Sequence, residues 1–173
     1  RMVHFDEFLA IESTIVKLEA GAPKHHIEIL RPGPITDVDL KKFGKVTRAK
    51  RNTSVEENAP EAPGMLASHY APRTPFRVLS KPEDFSPEEG KTYALLSYRG
   101  QPKDGYLDLF DWQEVAILSP GSGRVAEAGI RLFHVMRELD RLGVDEIIAE
   151  PVPDRGVGMA VFDRISRASV PSG

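Results

Sequence analysis

The stretch EVAILSPGSGRVAEAGIRLFHVMRELDRLGVDEIIA, residues 114–149, decides the fold, because it predicts a strand, a helix and a second strand in succession. Its two ends are short apolar runs with little alternation, which is typical of strands buried on both faces of a parallel sheet. Between them, apolar side chains recur at helical spacing from about Arg124 to Leu142, and Gly143 suits the position after a helix end. The stretch therefore predicts a right-handed βαβ unit.

The same alternation of strands and helices continues on both sides of this unit. Short strands are predicted at 76–79 and 92–98, and a second amphipathic helix at about 157–168. Strands and helices that alternate along the chain favour a parallel sheet with helices packed on it. Residues 76–169 therefore predict a small Rossmann-like α/β domain, followed by a tail at 170–173.

The N-terminal block has a different pattern. Two strands are predicted at 11–18 and 26–31, and Thr36 is expected to cap a short helix near 37–43. Two strands and one turn of helix cannot bury a core unaided. We therefore expect residues 1–45 to be the end of a partial α+β domain whose beginning is absent.

Residues 46–75 predict an interdomain linker. A basic run at 41–51 and an acidic run at 56–61 favour a segment held in water, with contact to phosphates of a nucleotide or RNA as the alternative. The stretch 63–75, PGMLASHYAPRTP, contains too many prolines for a helix interior or a central strand. It nevertheless carries Met, His, Tyr and Arg side chains, which an idle spacer rarely needs. We expect it to follow a fixed path against a surface.

Composition excludes several classes of protein. The net charge of −3 argues against dominant non-specific nucleic-acid binding, and the absence of cysteine excludes disulfides and thiolate sites. No apolar run approaches the roughly 20 residues that span a bilayer, and no signal-like start is present. The pair His25-His26 has no spaced partner that suggests a metal site. We expect a soluble, cytoplasmic protein without a membrane partner.

One loop matches a dinucleotide-binding pattern. Residues 121–126, GSGRVA, fit G-x-G-x-x-G/A between a predicted strand and helix, and Glu150 ends the next strand, where an acid could bind a ribose. Pro120 and the small size of the unit argue against nicotinamide or flavin binding. A tight strand-to-helix turn is the simpler interpretation, and binding of a nucleotide or an anion stays open.

Short motifs along nearly the whole chain carry a family resemblance. They are Glu12–Val16, Ile29–Thr36, Pro63–Met65, His69–Pro72, Glu127–Phe133, Arg137–Asp140, Gly156–Ala160 and Asp163–Arg164. In order and approximate spacing they resemble the threonylcarbamoyl-AMP synthases in their long, two-domain form. The Arg-Pro-Gly motif followed by Pro-Gly-Met and His-Tyr-Ala-Pro is the specific part; each piece alone would be weak.

The resemblance implies a YrdC-type catalytic domain, a linker that closes over its cleft, and a Rossmann-like C-terminal domain. Such enzymes condense threonine with bicarbonate and transfer AMP from ATP to the carbamate, releasing pyrophosphate. The product serves threonylcarbamoyl modification of the tRNA adenosine next to the anticodon. Magnesium accompanies ATP, and no permanently bound cofactor is implied. Downstream tRNA-modifying proteins are possible partners, and direct tRNA contact is left open.

The resemblance also implies functional residues. Ser13, and less clearly Thr14, would contact the nucleotide phosphates, and Arg31 would clamp a phosphate. His69 and Tyr70 would reach the bound nucleotide from the linker, which would act as a lid. From the residues alone, Ser13 and Thr14 are polar strand positions and Arg31 is a charge at a strand end. No catalytic residue is assigned.

Departures from the family pattern limit these expectations. The family's earlier basic motif and its Ser-x-Asn segment do not occur in this chain, and Phe8-Leu9-Ala10 replaces a glycine-containing lead-in. Leu66-Ala67-Ser68 stands where the lid more often has basic and aromatic residues. We expect the 173-residue chain alone to lack synthase activity. The alternative is a free-standing Rossmann-like nucleotide-binding, regulatory or interaction module.

Overall fold

The computed structural model of the chain describes residues 11–19, 25–49 and 72–169. The first two ranges form a three-stranded sheet, in which β2 is antiparallel to β1 and parallel to β3. The strands, in their order across the sheet, are β1 (Ile15–Glu19), β2 (His25–Arg31) and β3 (Gly44–Arg48).

A short helix, α1 (Asp37–Leu40), lies between β2 and β3. Thr36 caps it as expected: its backbone N–H donates to Asp39 Oδ2 over 2.9 Å, and its Oγ1 accepts from the Asp39 N–H over 3.4 Å. The helix ends earlier than the 37–43 predicted, because the chain turns there to enter β3.

Strand β3 was not predicted, because the basic residues on either side of it favoured a solvated linker. The backbone of Gly44–Arg48 instead completes a parallel ladder with β2, with Val46 beside Ile27. The connection at 32–43 is long enough for a parallel crossover, which needs about a dozen residues. Lys45 and Arg48 keep exposed side chains, so their charge does not oppose the pairing.

The second sheet confirms the Rossmann-like α/β prediction. Its four strands are all parallel, in the order β4-β7-β5-β6. The strands are β4 (Phe76–Val78), β5 (Tyr93–Ser97), β6 (Glu114–Ile117) and β7 (Glu146–Ala149), with helices α2 (Val125–Asp140) and α3 (Gly158–Ala168). Helix α2 returns the chain from β6 at the edge to β7 inside the sheet, as the βαβ pattern predicted.

The two faces of this sheet are covered differently. Helices α2 and α3 pack on one face, where fully buried residues such as Leu132, Ile147 and Ile165 meet. Short 3₁₀ turns cover the other face with an aromatic cluster, in which Phe85 contacts Tyr93 edge to face at 5.3 Å between ring centroids. This division leaves the carboxyl ends of β5 and β7 accessible between a helical and an aromatic layer.

The N-terminal residues pack onto this α/β unit. Ile11 belongs to the helical-face core, and its side chain lies against Gly129 of α2. Arg48 of β3 donates from Nη1 to both carboxylate oxygens of Asp154 over 2.9 Å. Among the described residues, no helix has the length and apolarity to cross a membrane.

Candidate functional site

Two of the sequence motifs, Glu12-Ser13-Thr14 and Arg31-Pro32-Gly33, meet in space. Gly33 sits against the Glu12-Ser13-Thr14 backbone so closely that an added Cβ would lie 2.5 Å from the Glu12 carbonyl oxygen. Thr14 Oγ1 donates to the Ile35 carbonyl over 2.8 Å and accepts from the Ile35 N–H over 3.1 Å. The glycine of Arg-Pro-Gly is therefore required by this close approach.

Ser13 and Arg31, two of the predicted site residues, are held next to each other. Arg31 Nε donates to the Ser13 carbonyl over 3.1 Å, and Arg31 is only 9% exposed. The Ser13 side chain is exposed, and its hydroxyl has no hydrogen-bond partner among the described residues. Thr14, by contrast, uses its hydroxyl to fix the local backbone. The structure thus presents the Ser13 hydroxyl to solvent from a firmly held backbone.

A network of charged side chains extends from this corner into the α/β unit. Glu12 Oε2 lies 3.5 Å from Arg31 Nη1 and 2.8 Å from Arg164 Nη2. Arg164, only 2% exposed, also donates from Nη1 to Asp163 Oδ2 over 2.7 Å. Sequence reasoning missed this network, because Glu12 and Arg164 are far apart in the chain and neither motif indicates its partner.

His69 and Tyr70, the other predicted site residues, lie outside the described residues. The chain is described again from Pro72, and the Thr74 N–H donates to Asp140 Oδ1 at the end of α2 over 2.8 Å. The nucleotide-binding roles of Ser13, Thr14, Arg31, His69 and Tyr70 stay predictions.

A second candidate site is a cleft of about 680 Å³ at the carboxyl ends of β5 and β7. The chain leaves β5 towards β6 and leaves β7 towards α3, so the strand order reverses between them, which is where open α/β sheets bind ligands. Its polar lining includes Lys81, Tyr98, Arg99, Asp104, Glu150 and Arg155.

Glu150 is the most deeply buried charged group of this cleft, at 5% exposed. Its Oε2 accepts from Ser97 Oγ over 2.6 Å and from the Tyr98 N–H over 2.9 Å. Burial raises the pKa of the Glu150 carboxyl above its ordinary value of 4.5, and these two hydrogen bonds only partly oppose the rise. The sequence placed Glu150 at a strand end but gave no sign of its partners.

Replacing Glu150 with glutamine should make stability less dependent on pH. A raised pKa means that the native state holds its proton more tightly than the unfolded chain, so the ionised carboxylate costs stability as pH rises through the native pKa. Glutamine cannot ionise and keeps an oxygen for Ser97 and Tyr98. We expect Tm of Glu150→Gln minus Tm of the original chain to become more positive from about pH 4 to pH 7. Thermal unfolding across this range, with Glu138→Gln as the exposed-carboxylate control, measures it; a constant or falling difference would contradict the burial argument.

The first turn of α2 carries an acid, Glu127, where a dinucleotide would place its phosphates. Glu127 Oε2 accepts from Ser119 Oγ over 2.7 Å and from Ser122 Oγ over 2.5 Å. These bonds lower the pKa of the Glu127 carboxyl, so a negative charge is held beside the first turn of α2. Tyr98 Oη donates to the Gly123 carbonyl over 2.5 Å and fixes the loop further. The arrangement favours a tight strand-to-helix turn over a phosphate site.

No metal site is evident in the part of the chain that the structure describes. At 11–19, 25–49 and 72–169, no group of three or more His, Asp or Glu side chains could hold a metal ion together. His26 Nε2 lies 2.8 Å from Thr47 Oγ1 and its Nδ1 lies 3.2 Å from Glu19 Oε2.

Comparison with known proteins places these features in a family. A family model described as the threonylcarbamoyl-AMP synthase C-terminal domain matches residues 35–170. The chain is 30% identical to the threonylcarbamoyl-AMP synthase of Pyrococcus abyssi and 29% identical to that of Bacillus subtilis, in each case over 93% of this chain and 46% of the relative. It is 29% identical to that of Schizosaccharomyces pombe, over 93% of this chain and 42% of the relative. The chain thus spans about half the length of the curated relatives it matches.

Solved structures agree with the fold. A crystal structure of P. abyssi Sua5 complexed with L-threonine matches with a TM-score of 0.68 and 27% identity, over 94% of this chain and 46% of that one. A P. abyssi Sua5 variant, in which a histidine and the next tyrosine are alanine, matches with a TM-score of 0.64 and the same identity and coverage. The chain therefore belongs to the threonylcarbamoyl-AMP synthase family, and residues 35–170 match its C-terminal domain.

Proposed function

We propose that this chain is part of an L-threonylcarbamoyladenylate synthase, a nucleotidyltransferase that makes threonylcarbamoyl-AMP from threonine, bicarbonate and ATP. The threonine amine forms a carbamate with bicarbonate and water leaves. A carbamate oxygen then attacks the α-phosphorus of ATP, and pyrophosphate departs. The matched family and the length of its relatives support this proposal, as does the P. abyssi structure with bound L-threonine.

The single observation that carries the proposal is the unpartnered Ser13 hydroxyl on a backbone that Arg31 holds. The Gly33 contact and the hydrogen bond from Arg31 to the Ser13 carbonyl fix the backbone of Ser13, while its hydroxyl does not serve the fold. A hydroxyl donor and a guanidinium on neighbouring residues suit phosphate oxygens. Arg31 would both hold Ser13 in place and supply positive charge, which Glu12 partly balances.

The remaining parts of the proposal concern cofactors and partners. ATP is the nucleotide substrate, and Mg²⁺ enters with its phosphates. The His69-Tyr70 segment would close over the bound nucleotide and keep water from the adenylate, which hydrolyses readily. The product would pass to tRNA-modifying proteins in the cytoplasm.

Replacing Ser13 with alanine in the longer parent protein should lower kcat/KM for threonylcarbamoyl-AMP formation by about 10- to 100-fold without changing Tm. The size follows from loss of one hydrogen bond to a charged group, about 1.5–3 kcal/mol. Product formation from ATP, threonine and bicarbonate, followed by mass spectrometry, measures it. Arg137→Ala, an exposed change on α2, is the control. Unchanged kcat/KM in Ser13→Ala would remove Ser13 from the site, and absence of product from the unaltered parent would contradict the function itself.

The lid requires its own test, since His69 and Tyr70 lie outside the described residues. The double variant His69→Ala/Tyr70→Ala in the same parent should release free AMP from the adenylate faster than the unaltered protein does, because water reaches it. Unchanged ATP affinity together with unchanged turnover would contradict the lid.

A further inference from the structure

The cleft at the carboxyl ends of β5 and β7 has no assigned role in synthesis of the adenylate. It is built from the α/β unit alone, with walls from the segments that follow β4, β5, β6 and β7. Its volume of about 680 Å³ lies within the usual range of small-molecule sites, roughly 300–1,000 Å³. Its position at the reversal of strand order is the usual ligand position of open α/β sheets.

Glu150 has the features of a ligand contact in this cleft. Both hydrogen bonds that the structure gives it end on Oε2, so Oε1 has no partner among the described residues. The carboxyl of this residue, which is only 5% exposed, loses hydration, and a ligand that donates hydrogen bonds to Oε1 would offset that cost. Hydroxyl groups of a ribose are donors of this kind, and an acid at a strand end commonly receives them.

The cleft also offers positive charge at its rim. Arg155 is exposed, and its side chain has no partner among the described residues. Lys81 is exposed too, with its Nζ 4.0 Å from Asp84 Oδ1. Arg99 is already engaged, since its Nη2 lies 2.9 Å from Asp104 Oδ1 and 3.0 Å from Asp104 Oδ2. Two cations are therefore available to an anion that enters beside Glu150.

The acid beside α2 decides how such a ligand would be oriented. The Glu127 carboxylate lies beside the first turn of α2, so a phosphate is disfavoured on that side. The phosphate would instead point towards the loops that carry Lys81 and Arg155. This orientation differs from that of a dinucleotide, whose pyrophosphate lies on the helix N-terminus.

We propose that this cleft binds a nucleoside monophosphate, with the ribose hydroxyls on Glu150 and the phosphate on Lys81 and Arg155. The proposal does not depend on synthase activity, because every residue that it uses lies between 80 and 155. The competing interpretation is purely structural: Glu150 would only tie the ends of β5 and β7 together through Ser97 and Tyr98.

Calorimetric titration of the 173-residue chain distinguishes ligand binding from the purely structural interpretation. AMP and ribose 5-phosphate are the ligands, with adenosine and inorganic phosphate as probes of the ribose and the phosphate alone. We expect AMP and ribose 5-phosphate to bind, and adenosine and inorganic phosphate to bind at least tenfold more weakly. Glu150→Gln and Arg155→Ala should each weaken AMP binding by about tenfold or more, the scale of one lost charged hydrogen bond.

Two matched controls complete the test. Glu138→Gln and Arg137→Ala remove the same charges from exposed positions on α2, and both should leave AMP binding unchanged. The proposal is overturned if neither AMP nor ribose 5-phosphate binds at ligand concentrations up to about 10 mM, since any Kd would then be weaker than the mM values typical of weak ligands. It is equally overturned if both Glu150→Gln and Arg155→Ala bind AMP normally, or if inorganic phosphate binds as tightly as AMP.

Discussion

Gly158→Ala should destabilise the protein by about 3 kcal/mol or more, and the variant should accumulate poorly in soluble form. Gly158 is the first residue of α3 and is buried. A Cβ there would overlap the Pro153 carbonyl oxygen and lie 3.3 Å from Val125 Cγ1. The obstacle is the backbone carbonyl of Pro153, which can move away only if the chain around it shifts, whereas a side-chain end can rotate. Helix α3 would have to shift from the sheet.

Gly129→Ala provides the matched control, because it is also a buried helical glycine. Its added Cβ would lie 2.6 Å from Ile11 Cδ1, the end of a flexible side chain. Alanine also gains up to about 1 kcal/mol of helix propensity over glycine. We expect Gly129→Ala to change the free energy of unfolding by less than about 1 kcal/mol. Denaturant unfolding of both variants measures the difference; equal effects would mean that the Pro153 loop yields to the added methyl group.

Most of the α/β unit could be predicted from sequence. Strands β5, β6 and β7 are short apolar runs, and α2 has a continuous apolar stripe, so local pattern and tertiary burial agree. Strand β3 could not be predicted, since its pairing with β2 depends on partners outside the local pattern and its side chains are largely polar or charged. The division of the chain at residues 45 and 75 stays a prediction.

The candidate sites were predictable to different extents. The resemblance pointed to Ser13, Thr14 and Arg31, and the structure brings all three together around Gly33. Their roles towards a nucleotide remain predictions. Glu150 was noticed as a strand-end acid, but its burial and its free oxygen depend on how β5 and β7 pair. Pairs distant in sequence, such as Glu12 with Arg164, leave no periodic signal.

The buried charges of α3 connect the predicted nucleotide corner with the α/β unit. Glu12 precedes Ser13 directly and lies between Arg31 and Arg164, so the backbone that presents Ser13 is joined to α3 through ion pairs. A change in α3 would therefore reach the Ser13 hydroxyl through Glu12. Stability and the position of the predicted site are coupled at this point.

Asp163→Ala should cost about 3–5 kcal/mol, the usual effect of removing one member of a buried ion pair. Asp163 Oδ2 accepts from Arg164 Nη1 over 2.7 Å and from Arg167 Nε over 2.8 Å. Without Asp163, Glu12 is the one carboxylate among the described residues that still pairs with Arg164. The Arg164 Nε is already buried without a hydrogen-bond partner. The variant's unfolding midpoint in denaturant measures the loss at constant m-value.

Two further variants separate the effect of charge balance on stability from the effect of side-chain packing around Asp163. Asp163→Leu combined with Arg164→Met removes the pair together and should recover most of the lost stability, because Arg164 is then not left as a buried charge without Asp163, and Glu12 keeps Arg31. Glu88→Ala removes one partner of the exposed Glu88–Lys91 pair and should leave the midpoint unchanged within error. If the double variant is as unstable as Asp163→Ala alone, the network contributes through shape or hydrogen bonding rather than through charge balance. In that case Arg164 would be needed to hold Glu12, and with it the backbone of Ser13, in place.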